Sequence, residues 1–129
     1  MPLALVDAAG FRRATLYVVA FGNVTFEEVR TFQTALLADA RLCCGVQMFC
    51  DARTVTGAPS AGELRIIAAE TAPLIDAGLG PIAILCASPF TYGVARMFAV
   101  LAEAVHANVG AFRDFVEAQD WLDRQAAAA

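Results

Sequence analysis

The sequence predicts an α/β domain: a mixed, mostly parallel five-stranded sheet with four helices, in the order ββαβαβαβα. Three observations predict it. Residues 45–51 and 82–87 are apolar runs of strand length without polar alternation, the pattern of central strands covered on both faces. Between and after them lie segments whose apolar residues recur at helical spacing. Three of those segments open on a hydroxyl or carboxylate side chain followed three residues later by Glu, the spacing of a capping box. Strands alternating with helices imply parallel pairing through right-handed crossovers, with helices on both faces.

Taken in order, residues 3–8 read as a first strand, Gly10, Phe11 and Arg12 as a turn, and residues 14–21 as a second strand pairing with the first as a hairpin. Gly22-Asn23 ends it. Thr25 with Glu28 caps a first helix whose inward stripe is Val29, Phe32 and Leu36, and which stops near Asp39. After the strand at 45–51, Gly57-Ala58-Pro59 forms a loop, and Ser60 with Glu63 caps a second helix. Leu64, Ile67, Ala68 and Ile75 make its inner face, and Pro73 kinks or restarts it by removing a backbone donor. Residues 78–81 form a turn before the fourth strand at 82–87. Ser88-Pro89 opens the longest helix, with Phe90, Val94, Met97, Leu101 and Val105 as its stripe. Residues 108–112 are a short fifth strand. Asp114 and Glu117 cap a last helix that turns Ala118, Trp121 and Leu122 inward.

A chain of 129 residues makes one domain, residues 1–129. Its hydrophobic fraction of 59% excludes a disordered chain. The net charge is -4, the basic residues are all arginine and they form no basic run, so the chain is a poor candidate for the positive patch that nucleic-acid binding needs. Asp7 interrupts the apolar N-terminal stretch, which has no basic leader, and no uncharged run is long enough to span a bilayer. These features imply no transmembrane segment and a cytoplasmic location.

The four cysteines are Cys43, Cys44, Cys50 and Cys86. Cys43 and Cys44 are adjacent, which leaves no C-x-x-C spacing and reads as a strand entrance. Cys50 and Cys86 sit in apolar runs as small buried hydrophobes. With His106 the single histidine, the sequence presents no zinc site. No Gly-x-Gly-x-x-Gly or Walker pattern occurs, and no nucleophile has a local catalytic signature. The expectation is therefore no metal, no cofactor, no catalytic residue and a non-enzymatic protein.

Asp51-Ala52-Arg53 after the third strand, Tyr92-Gly93-Val94-Ala95-Arg96-Met97 in the long helix, and Phe112-Arg113-Asp114 leading to Ala118 and Trp121-Leu122 resemble the SpoIIAA-like group. That group includes the STAS domains of anti-sigma-factor antagonists and many uncharacterised bacterial proteins. The resemblance spans nearly the whole chain and implies a signalling or protein–protein interaction domain with an unidentified protein partner. Anti-sigma-factor antagonists carry a phosphorylatable serine in an Asp-Ser-Ser-Gly-like turn before their second helix. Ala58-Pro59-Ser60-Ala61-Gly62 occupies that place here, so the resemblance makes Ser60 the phosphosite, without the acidic and first-serine positions of the motif. Related lipid-carrying domains imply the alternative, an apolar-ligand (lipid) binding or membrane-surface-associated role, and the apolar excess of Phe11, Phe21, Phe26, Phe90, Phe98 and Phe115 is in keeping with it.

Open parallel sheets bind ligands beyond the carboxyl ends of their strands. That rule gathers Asp51, Arg53, Ser60, Ser88, Tyr92 and Arg96 at one edge, with Thr91 and Arg113 beside them. Two helix N-termini open there and favour anions. In the structural reading of the same residues, Asp51 pairs with Arg53 or Arg96, and Ser60 and Ser88 only cap.

Overall fold

The computed structural model describes residues 3–7 and 14–128. The turn expected at Gly10, Phe11 and Arg12 lies outside the described residues. β1 (Leu3–Asp7) runs antiparallel to β2 (Thr15–Asn23). From β2 the sheet continues in parallel through β3 (Val46–Gly57), β4 (Leu79–Leu85) and β5 (Val109–Phe112). The spatial order follows the chain order.

That order decides where the helices go. Right-handed crossovers that always step in the same direction put every crossover helix on the same face. Leu36 of α1 (Phe26–Leu37) and Leu74 of α3 (Ala72–Asp76) accordingly share a core with Leu16, Val18, Met48 and Ile82 of the sheet. Ala68 of α2 (Ala61–Ala69) meets Ala102 of α4 (Pro89–Ala102) on that same side. Among the described residues, α5 (Phe115–Ala128) alone covers the opposite face, where Ala118 and Leu122 pack on Phe49, Ala83 and Leu85. Helices thus flank both faces, but unequally.

The helix starts rest on local chemistry. Thr25 and Ser60 each form a complete capping box, with Glu28 and Glu63. Ser88 caps α4 ahead of Pro89, and the Asp114 carboxylate accepts from the Glu117 N–H at 3.0 Å. The second helix breaks in two around Pro73, and Leu74 as well as Ile75 turns inward.

Three expectations need correction. β3 does not stop at Asp51 but runs to Gly57, because Phe21, Gly22 and Asn23 of β2 supply backbone partners for Thr54, Val55 and Gly57 across two bulges. β4 starts at Leu79 rather than Ile82; Pro81 is tolerated because the ladder with β3 is irregular there. The stripe of α4 is rotated: Thr91, Ala95 and Ala102 are buried, whereas Phe90 and Met97 are 59% and 44% exposed. Small side chains face the neighbouring elements because α4 packs close against α2 and β5.

Candidate functional site

Among the described residues, those expected at one edge are joined only in local pairs. Asp51 follows Phe49 by two positions on β3 and therefore shares its face, the one covered by α5. Its carboxylate accepts from Arg53 Nε at 3.0 Å, from an Arg53 terminal nitrogen at 2.8 Å, and from the Tyr17 hydroxyl at 3.0 Å. Arg53 beside it holds the Asp51 carboxyl below the usual aspartate range, with Tyr17 contributing less, against the opposing effect of burial. Burial and the Asp51 charge raise the Tyr17 phenol. The Tyr17 ring stacks on Phe49 with centroids 5.3 Å apart. This is a tied-down ionic cluster on a strand, and Arg53 is its cation.

Arg96 takes no part in it. Its guanidinium lies over the Tyr92 ring, 5.9 Å from the centroid, on the exposed side of α4. The expected alternative pairing of Asp51 with Arg96 is therefore absent: the Asp51 side chain faces the α5 side, and α4 lies on the other side of the sheet. Ser60 accepts from the Glu63 N–H at 3.2 Å, and Ser88 from the Thr91 N–H at 3.1 Å, so both hydroxyls serve as caps. Arg113 donates to the Ala87 carbonyl at 3.2 Å and ties two loops together. Among the described residues, no recorded contact joins Asp51 and Arg53 to Ser60, Ser88, Tyr92 or Arg96. Parallel strands in chain order have no point where the order reverses, and that reversal is what opens a crevice at the carboxyl ends.

A concave feature lies between the sheet and the helices α1 to α4. It is a cavity of about 200 Å³, partly open to solvent. Val18, Ala20, Met48, Cys50 and Ile84 form its floor, and Phe32, Leu64, Val94 and Phe98 stand among its walls. It extends to Val55, Ala58 and Pro59, next to the Ser60 cap. Burial pushes the Cys50 thiol up to about 12, with smaller contributions from Cys86 and Asp51, so at neutral pH it is an uncharged part of the floor.

Three polar side chains interrupt the lining: Gln33, Thr71 and Thr91. Thr71 Oγ1 donates to the Ile67 carbonyl at 2.9 Å, and Thr91 Oγ1 accepts from the Ser88 hydroxyl at 3.0 Å. Gln33 Nε2 donates to the Ile67 carbonyl at 3.1 Å and lies 3.4 Å from Thr71 Oγ1. Because a carbonyl can only accept, this contact sets the orientation of the amide. Gln33 Oε1 is left buried, with no partner among the described residues. Sequence reasoning passed over this residue, although a signal existed: Gln33 follows Val29 by four positions and precedes Leu36 by three, so it is a polar side chain on the inward stripe.

Among the described residues no group of three or more His, Cys, Asp or Glu side chains could hold a metal, and no helix is long and apolar enough to cross a membrane. No protein-family model matches the chain. No curated protein matches it either. A solved structure does: an uncharacterised protein of the DUF3478 family from Shewanella loihica PV-4, described as having a SpoIIAA-like fold, is similar at a TM-score of 0.63 and 18% identity over 93% of each chain. With that likeness and the sheet-and-helix plan above, the chain has the SpoIIAA-like α/β fold.

Proposed function

We propose that this domain is a non-enzymatic binding module that takes a small, uncharged, largely apolar molecule into the cavity between the sheet and α1 to α4. The observation that carries the reading is an apolar cavity with one buried, unsatisfied acceptor, Gln33 Oε1. Well-packed interiors contain few voids larger than a water molecule. A dry cavity of roughly 150 Å³ already suffices to bind benzene, so this one would hold a ligand of roughly eight to ten non-hydrogen atoms. The ligand would donate one hydrogen bond, from an alcohol, a phenol or an N–H. A carboxylate is disfavoured, because no cation among the described residues lines the cavity to offset its desolvation.

The same arrangement supports a regulatory role for such binding. α4 contributes Thr91, Val94, Ala95 and Phe98 to the cavity wall, while its outer residues Phe90, Met97 and Val100 are exposed. A ligand under α4 would bear on the face that a protein partner meets, in keeping with the signalling role that the family resemblance implies.

The test begins with native mass spectrometry of freshly purified protein, followed by titration with medium-chain alcohols, alkylphenols and the matching alkanes. Alcohols and phenols should bind and shift the backbone NMR signals of Val18, Cys50 and Phe98. Gln33→Met should weaken them about fivefold, a loss of about 1 kcal/mol, and leave the alkanes unchanged. No binding at millimolar concentration, or shifts confined to the outer surface, would refute the reading.

A further inference from the structure

Cys43 and Cys44 precede β3 and play no part in the cavity. Both are exposed, and their sulfurs lie 2.7 Å apart. Cys44 adopts φ 64°, a left-handed conformation rare for a residue with a side chain. The surroundings hold it there. The Val46 N–H donates to the Cys43 carbonyl at 2.9 Å, and the Gly45 N–H to the Gly78 carbonyl at 2.8 Å. Gly78 packs so closely that a methyl group on it would stand 2.8 Å from the Cys44 nitrogen and 2.9 Å from Cys43 Cα. Backbone geometry rather than a hydrophobic pocket therefore brings the two thiols together.

We propose that Cys43 and Cys44 form a vicinal dithiol, a modification site that a small-molecule disulfide closes reversibly to a disulfide between neighbours. The thiolate of one cysteine attacks a sulfur of the small disulfide. A mixed disulfide forms and one small thiol leaves. The neighbouring thiolate then attacks the protein sulfur of that mixed disulfide, which forms the Cys43–Cys44 bond and expels the second small thiol. The protein gives up two protons and two electrons, and the small disulfide takes them up.

The closed form is a reversible mark rather than a structural staple, for two reasons. Adjacent Cα atoms stand about 3.8 Å apart, below the roughly 4.4–6.8 Å of ordinary disulfides, so the ring is strained, and strained exposed disulfides are readily reduced. A link between neighbours also encloses no loop and barely restricts the unfolded chain.

The experiment treats the full chain with excess glutathione disulfide under native conditions, traps remaining thiols with iodoacetamide, and reads intact mass and peptide maps. Wild type should lose the mass of two hydrogens, both of its exposed alkylation sites and no others, retain no glutathione, and recover on adding dithiothreitol. Cys43→Ser and Cys44→Ser should each instead keep one glutathione on the remaining cysteine. A stable glutathione adduct on wild type, a disulfide-linked dimer, or exposed thiols left unchanged while both single variants react would overturn the proposal.

Discussion

Gln33→Met separates the contribution of Gln33 to binding from its contribution to folding. A buried acceptor without a partner costs about 1–3 kcal/mol of desolvation. Against that, the Gln33 amide makes one well-formed hydrogen bond, 3.1 Å to the Ile67 carbonyl, and one long contact to Thr71. Such a bond contributes about 0.5–1.5 kcal/mol net. Removing it does not orphan the Ile67 carbonyl, because Thr71 Oγ1 still donates to it at 2.9 Å. Methionine matches glutamine in length and in helix propensity, and its thioether suits an irregular apolar wall. The difference favours the variant by about 1 kcal/mol, which for a domain of this size is a rise in Tm of about 4 °C. Urea denaturation with matched m-values measures it, in protein stripped of any co-purified ligand. A loss of 1 kcal/mol or more would refute the reasoning, because it would mean that Oε1 is satisfied and that the cavity has no polar anchor.

Other perturbations follow from the same geometry. Ser60→Ala should cost about 1 kcal/mol in denaturant unfolding, through loss of the capping box of α2; an unchanged midpoint would leave that hydroxyl without a structural role and strengthen its reading as a phosphosite. Arg96→Ala should cost less than about 1 kcal/mol, since the guanidinium only stacks on Tyr92 at an exposed position; a loss of several kcal/mol would point to a buried carboxylate partner. Asp51 has a folded-state pKa held below its unfolded one, chiefly by Arg53. The unfolded chain therefore binds the proton first, and the contribution of Asp51 is present above the unfolded value of about 3.9 and lost as pH falls through the folded one. NMR titration of the Asp51 carboxyl should show its midpoint rising in Arg53→Ala; an unmoved midpoint would remove Arg53 as the cause.

Much of this protein was legible from neighbours along the chain. A cap joins a side chain to a backbone N–H three residues away, so Thr25, Ser60, Ser88 and Asp114 announce their helices whatever surrounds them. Apolar runs mark central strands for a similar reason, since the need to be covered on both faces is written in their composition. Contacts between distant segments decided the rest. β3 continues to Gly57 only because β2 presents an edge there. The stripe of α4 turned by one residue, about 100° of rotation, because close packing selects Ala95 and Ala102 over the more apolar Phe90 and Met97. Asp51 and Arg96 parted because successive side chains on a strand point to opposite faces and the crossover helices occupy one of them. The cavity itself is a property of how four helices fail to fill the space above a sheet. No local pattern encodes that misfit, although the glutamine set on an inward stripe marks where it lies.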